Sequence, residues 1–267
     1  MDFQDFLDTV DPSTLSYPFT MQAETLGDKL RAAIHQSPSG GFIPISELYS
    51  LITKDTINEE LRQVLNLSDE SRSVLARKVL GSSSSDLGAR NLPTGRLKVF
   101  GILALIGKSA SIASFISENV SDEALPVSVR AGLGNLGHEV FANNNPDVPL
   151  NCFLDWSDAE IAAFEASQWL TLSPVFLDTS GPADVEFLEF PSKTPFPFVG
   201  DAVARLPPRV GGSSTVTNVN IHPAHFKFED DGVSTQRHGQ MIIRSLTYCL
   251  ELDTYICCQE TRGRKKT

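Results

Sequence analysis

Cysteine is scarce in this 267-residue sequence, and the four cysteines present do not form a paired motif. The first ten residues, MDFQDFLDTV, are acidic and lack the positive and apolar regions of a secretory signal. Because thiols stay reduced outside the secretory route, we expect an intracellular protein, cytoplasmic or nuclear, with reduced thiols. The cysteines are Cys152, Cys249, Cys257 and Cys258.

Long apolar runs and positive charge are also in short supply. The longest strongly apolar run, Val99–Ile106, has eight residues, whereas a membrane-spanning helix needs about 20. The chain has 22 basic and 33 acidic side chains, which gives a net charge of -11. From Asp201 onward there are 9 basic and 7 acidic residues, so residues 1–200, with 13 and 26, carry -13. Such a surface repels phosphate groups, so we expect neither a nucleic-acid nor a membrane partner.

The motifs of several enzyme classes are missing as well. The sequence has neither the G-x-S-x-G nucleophile elbow nor the GxxxxGK[ST] phosphate loop. His222 and His225 lie three apart, but Pro223 disfavours a shared helix face, and no cysteine or glutamate at a suitable spacing completes a zinc site. We interpret both as turn and packing histidines and predict no metal site. Cys152 has apolar neighbours in LNCFLDW, which indicates a buried structural thiol.

What the sequence does contain is a series of helical patterns up to about residue 170. Apolar residues recur at helical spacing within Met21–Gln36, and Arg96–Gly107 is apolar on nearly every side, as in a buried helix. Thr56–Glu59 and Ser157–Glu160 have the capping-box pattern that begins a helix. The polar, proline-containing stretch Asn143–Pro149 is predicted to be a loop.

The C-terminal third of the sequence changes to prolines and β-prone segments. Period-two alternation in Val216–Ile221 and the composition of Met241–Cys258 predict strands. The predicted fold class is mainly α, a helical bundle or array, with a short C-terminal β-containing appendage. The predicted divisions are an extended lead-in (1–20), a helical domain (21–177), a proline-rich linker (178–208) and a C-terminal part (209–267).

A glycine-containing turn lies between β-prone segments in VGGSSTVTNVNIHPAH, residues 210–225. Glycine lets backbone amides approach a phosphate closely, so such a turn can cover a nucleotide. A plain hairpin turn explains the same residues equally well. The candidate binding residues are Gly211, Gly212, Ser214 and Val216.

Four segments of the sequence, taken in order, resemble a known family. RLKVFGILALIGK, QWLTLSPVF, the proline-rich stretch and GGSSTVTNVNIHPAHFKF occur in this order, as in filamentous-fungal proteins whose helical N-terminal region precedes a serine/threonine-kinase-like domain. The resemblance implies that residues 209–267 are a partial kinase N-lobe, or an aberrant tail. With Val216 at the valine of G-x-G-x-x-G-x-V, only Gly211 keeps a glycine, because Arg209 and Ser214 occupy the other two positions.

The kinase motifs downstream of this loop are missing. No lysine lies between Lys227 and Lys265, and neither H-R-D nor D-F-G occurs. Phosphoryl transfer needs these groups for positioning and charge neutralisation. We therefore expect a non-catalytic regulatory or protein-interaction module, truncated before the catalytic residues, with a protein partner and no cofactor. The alternative is a degenerate, ATP-binding kinase, or part of an active kinase in a longer isoform, and only this alternative implies ATP and Mg²⁺.

Overall fold

The structure is a computed structural model. Its backbone is described for residues 24–81, 95–132, 137–177, 187–199, 209–211, 214–227, 240–246 and 255–257. Side-chain environments are described for residues 24–81, 95–132, 137–176, 190–199 and 219–226. The predicted lead-in lies outside these ranges, as do residues 178–186 and 200–208 of the predicted linker.

Seven α-helices occur within the described residues, and all of them lie before residue 170. Short 3-10 turns connect several of them. The helices supply most of the regular structure of the predicted helical domain, so the mainly α prediction is confirmed at this coarse level. They are α1 (Leu26–Ala32), α2 (Ile45–Leu51), α3 (Lys54–Val64), α4 (Asp69–Leu80), α5 (Leu97–Leu105), α6 (Ile112–Ser117) and α7 (Asp158–Gln168).

Twelve strands, most of them short, occur in the described part of the chain and make the fold a mixed one. Strands β1 and β2 form a hairpin, β3–β4–β5 form an antiparallel sheet, and β6 pairs in parallel with β10. A five-stranded antiparallel sheet has the order β7–β12–β11–β9–β8. The strands are β1 (His35–Ser37), β2 (Gly40–Phe42), β3 (Ser128–Ala131), β4 (His138–Ala142), β5 (Asn145–Pro149), β6 (Phe176–Leu177), β7 (Phe187–Glu189), β8 (Arg209–Gly211), β9 (Ser214–Asn220), β10 (Phe226–Lys227), β11 (Gln240–Leu246) and β12 (Tyr255–Cys257).

Two of the helical-domain predictions were wrong in their secondary structure. The helix predicted over Met21–Gln36 ends at Ala32, and His35 begins β1. The loop predicted at Asn143–Pro149 contains β5, which lies at the edge of its sheet. An edge strand tolerates proline because one side of its backbone needs no partner in the sheet. Strand β5 is therefore compatible with a sequence that reads as a loop.

Hydroxyl caps decide where several helices begin. The predicted box at Ser157 is confirmed: Ser157 Oγ accepts from the Glu160 amide at 3.4 Å, and Glu160 Oε2 accepts from the Ser157 amide at 2.8 Å. The box predicted at Thr56–Glu59 was displaced, because Thr53 caps α3 and Thr56 makes the reciprocal bond. Thr53 lies three residues before Thr56, so the helix begins three residues earlier than the pair of Thr56 and Glu59 indicated.

Helix α5 lies at the centre of the main hydrophobic core, as its all-round apolar sequence predicts. Helices α1, α2 and α7 pack around it. A cluster of aromatic rings lies at one side of the core. The ring centroids of Phe115 and Phe153 are 5.1 Å apart, and those of Phe153 and Phe164 are also 5.1 Å apart. The fully buried residues of α5 are Val99, Phe100, Ile102 and Leu103.

A second, smaller core connects the helical region to the C-terminal strands. Phe176, Phe196, Val219 and Ile221 are buried in it, and the rings of Phe196 and Phe198 stack at 5.3 Å. The Phe196 amide also donates to the Ser39 hydroxyl at 2.7 Å, in the turn between β1 and β2. Residues 190–199 of the predicted linker are therefore a packed segment.

Candidate functional site: the histidine junction

The predicted glycine loop is a tight antiparallel hairpin. Gly211 ends β8 and pairs with Ser214, the first residue of β9, and Arg209 pairs with Val216. Only residues 212 and 213 separate the paired positions, and Gly212 lies outside the described residues. Both an ordinary hairpin turn and a phosphate-covering loop are consistent with this backbone, so nucleotide binding at Gly211, Gly212, Ser214 and Val216 stays a prediction.

Strand β11 brings an arginine to this hairpin that sequence reasoning missed. Seven consecutive pairs join β9 to β11, and one of them sets Arg244 opposite Val216. Val216 therefore lies at a register position between Arg209 on β8 and Arg244 on β11. Sequence reasoning looked for the kinase lysine and therefore did not consider an arginine at position 244. The β-prone composition of QMIIRSL was the signal for the strand, and composition does not specify the register.

The end of β9 leads into a histidine turn that docks on the helical region. Pro223–His225 form a 3-10 turn, and His222 caps it by accepting the Ala224 amide on Nδ1 at 3.2 Å. The His222 amide donates to the Pro197 carbonyl at 2.7 Å, next to the second core. We call the group formed by His35, Phe42, Glu47, His222 and His225 the histidine junction.

His225 is the buried centre of the junction, with 1% of its surface exposed. Its Nε2 accepts the Ile45 amide at 3.1 Å, and its Nδ1 lies 2.8 Å from the Pro174 carbonyl, to which it donates. These partners assign the neutral tautomer protonated on Nδ1. Ile45 is the first residue of α2, and Pro44 gives it no side-chain cap. His225 therefore satisfies a helix-end amide from 180 residues away.

The electrostatics of the junction disfavour charge on His225. Burial lowers the pKa of its imidazole to about 4; the bond to Pro174 acts in the opposite direction, and the neighbouring His222 and Lys98 add to the lowering. Burial also lowers the pKa of His222, with His35 adding to the effect and Glu47 opposing it. At neutral pH both rings are uncharged.

His35 and Glu47 form the outer side of the junction. His35 Nε2 lies 3.4 Å from Glu47 Oε1, and both side chains are partly exposed. The ring of His35 meets that of His222 edge-on at 5.2 Å, and Phe42 meets His225 at 5.5 Å. Strand β1, helix α2 and the histidine turn thus converge on one point.

The described residues, including the junction, do not group the ligands of a metal centre. Within the residues that the structure describes, no three histidine, cysteine, aspartate or glutamate side chains are grouped so that they could hold a metal ion. The contacts of His222 and His225 agree with their interpretation as turn and packing histidines. The interpretation of Cys152 as a buried structural thiol also agrees with its position, because burial and the adjacent Glu118 carboxylate raise its pKa.

The acidic side chains of the helical region that are most shielded from water bind backbone amides. Asp122 accepts from the Lys98 amide at 3.1 Å and from the Val99 amide at 2.9 Å, and so caps the N-terminus of α5. Burial raises the pKa of Asp122, opposed by these amides and by the Lys98 ammonium. Sequence reasoning missed this cap, because Asp122 lies after the helix that it caps.

Glu118 and Glu60 have comparable structural roles. Glu118 accepts from the Asn151 amide at 2.8 Å and from the Cys152 amide at 2.7 Å. Burial acts to raise its pKa, but these bonds outweigh burial and lower it. Glu60, 8% exposed, accepts from the Leu26 amide and, at 2.7 Å, from the Ser109 hydroxyl.

Comparisons with protein-family models, with curated proteins and with solved structures find no match to this chain. None of the helices in the described ranges combines the length and the apolar character that crossing a membrane requires. The kinase-like resemblance thus rests on the sequence motifs alone.

Proposed function

We propose that this chain is a non-catalytic, helical regulatory or protein-interaction module of a kinase-like protein. One observation carries the proposal: the carboxylates and the imidazole most shielded from water in the described residues hold the backbone together. Asp122, Glu118 and Glu60 accept from amides at the ends of helices and turns, and both ring nitrogens of His225 bind backbone groups. A catalytic group must instead be available to a substrate.

The proposed partner is a protein with a basic contact surface. Residues 1–200 carry a net charge of -13, and such a field attracts positively charged surfaces and speeds their encounter. Many acidic side chains of this region are exposed to solvent, although Glu59, Asp69 and Asp158 are also paired with neighbouring side chains. Among the residues whose side-chain environments are described, the exposed ones are Glu24, Asp28, Asp55, Glu59, Asp69, Glu70, Glu123, Asp147, Asp155 and Asp158.

The second candidate function is ATP binding by a degenerate kinase. The observation that favours it is the β8–β9 hairpin, in which Gly211 and Ser214 flank a two-residue connection next to β11. In this case Gly211, Gly212, Ser214 and Val216 would contact the nucleotide, with Mg²⁺ on its phosphates. The missing lysine and aspartates make this the weaker candidate.

A thermal unfolding experiment with Mg-ATP distinguishes the two functions. A ligand that binds only the folded state, present at 100 times its Kd, stabilises that state by about 2.7 kcal/mol. We expect no change of the unfolding midpoint with Mg-ATP beyond the change produced by Mg²⁺ alone. Gly211→Val is the matched variant, and each protein is compared with its own ligand-free midpoint. A reproducible ATP-dependent rise that disappears in Gly211→Val would establish the second function and reject the first.

A further inference from the structure

The histidine junction connects three separated parts of the chain. His225 binds Ile45 at the start of α2 and Pro174 after α7, while the adjacent strand β10 pairs with β6. The packed segment 190–199 is fixed at the same place, because the Val199 amide donates to the Asn220 carbonyl at 2.9 Å. Loss of the His225 contacts would therefore weaken the attachment of the C-terminal strands to the helices.

A proton on His225 is incompatible with the closed junction. Its Nδ1 already carries the hydrogen that is donated to Pro174, so a second proton must bind to Nε2. Nε2 is the acceptor for the Ile45 amide at 3.1 Å. Protonation turns this contact into two opposed N–H donors and leaves the Ile45 amide without an acceptor.

Most of the charged groups around the junction disfavour a proton on His222 or His225. His35 on β1 faces His222 edge-on, and positive charge on His35 lowers the pKa of His222. Lys98 on α5 places a further positive charge near His225. Glu47 on α2 acts in the opposite direction, at a 3.4 Å contact with His35 on the exposed side.

We propose that the histidine junction is an acid-sensitive latch, which holds the C-terminal strands on the helical region and releases them when His225 binds a proton. The latch is a conformational device of this fold and does not depend on the proposed interaction function. It requires only that the open state exposes the His225 imidazole to water.

The direction and size of the effect follow from proton linkage. The pKa of His225 is about 4 in the closed state, against an ordinary value of 6.5. The closed state thus binds fewer protons, so the latch is fully stable above pH 6.5 and weakens as the pH falls toward 4. Between pH 7.5 and 5.5 the opening equilibrium rises about tenfold, because an exposed imidazole is by then about nine-tenths protonated. This range stays above the pI of 4.9.

Amide hydrogen exchange on the full chain tests the latch. The reporting amide is that of Ile45, which donates to His225, and the reference amide is that of Phe100, which donates to Arg96 within the core at 2.8 Å. After correction for intrinsic exchange, we expect protection of Ile45 to fall about tenfold from pH 7.5 to 5.5. Protection of Phe100 should change by less than about twofold, because the core stays closed.

Two variants assign the effect to His225. Glutamine in His225→Gln offers one donor and one acceptor but does not titrate, so Ile45 protection should become independent of pH. The matched control is His138→Gln, which removes a histidine paired with Asp158 outside the junction and should keep the tenfold response. An unchanged Ile45 protection in the native chain, an equal loss at Phe100, or a native-like response in His225→Gln would each overturn the proposal. If His225→Gln does not fold, the comparison of Ile45 with Phe100 in the native chain decides.

Discussion

We expect Gly27→Ala to lower the free energy of unfolding by about 2 kcal/mol, because α1 crosses α5 too closely for a side chain at this position. A Cβ atom on Gly27 would lie 2.5 Å from the Ala104 carbonyl oxygen and 3.3 Å from its carbon. Both are backbone atoms, so the helices must move apart. Alanine favours a helix over glycine by about 1 kcal/mol, which offsets part of the cost. The measurement is a urea unfolding curve.

Gly101→Ala is the matched control, since it also places alanine at a buried glycine within a helix. A Cβ atom there would meet the Ile52 Cδ1 at 3.1 Å and the Leu48 Cδ1 at 3.3 Å. These are the ends of flexible side chains, which can shift by a few tenths of an ångström. We expect a change of less than about 1 kcal/mol, as packing cost and helix propensity nearly cancel. Equal effects of the two substitutions would contradict the close approach of α1 and α5.

Gln168→Leu should have a larger effect, a loss of about 2–6 kcal/mol in the free energy of unfolding. The Gln168 side chain is fully buried, where its Oε1 accepts the Val127 amide at 2.7 Å and its Nε2 donates to the Val127 carbonyl at 3.1 Å. Leucine has a similar volume but leaves both backbone groups buried without partners, at about 1–3 kcal/mol each. The result is read from the unfolding midpoint in urea at constant m-value.

The control for this change is Gln63→Leu on α3. Gln63 is exposed and donates only to Glu59 at 3.2 Å, so its replacement should alter stability by no more than about 0.5 kcal/mol. A Gln168→Leu protein as stable as Gln63→Leu would show that the pairing of Gln168 with Val127 does not support the fold.

Helices with strong local signals were predictable from the sequence. Arg96–Gly107 reads as buried because its residues are apolar all round, and α5 occupies that place. Ser157 and Glu160 are three apart, and capping is a contact between close neighbours, so the start of α7 was also correct. At α3 two threonines, Thr53 and Thr56, form the capping box. The pattern with a glutamate at its last position placed the box three residues too late.

The short strands were harder to predict, since their pairing is decided by distant residues. Strand β5 has no alternating pattern, and all five of its residues are exposed. It exists because β4 next to it offers backbone partners. Strand β1 has three residues, and its pairing with β2 follows from the turn that ends at Gly40, whose φ of 131° favours glycine. Hydrophobic periodicity in the sequence therefore indicates neither β5 nor β1.

The candidate site was the least predictable part of the structure. The sequence marks His222 and His225 as residues of a turn, and the structure agrees with this. Nothing in the sequence indicates that His225 binds Ile45, because the two are 180 residues apart. The same holds for Asp122, which caps a helix that begins 25 residues before it. Each contact depends on the completed fold, so local patterns cannot predict it.

The protonation state of His225 is the most direct test of the proposed function and the latch, because both require a histidine whose two nitrogens bind the backbone. A nitrogen-detected NMR titration of the full chain measures it. We predict a neutral ring with its hydrogen on Nδ1 at pH 7 and a pKa of about 4. A ring that titrates near the ordinary value of 6.5, with the hydrogen exchanging between both nitrogens, would contradict both proposals.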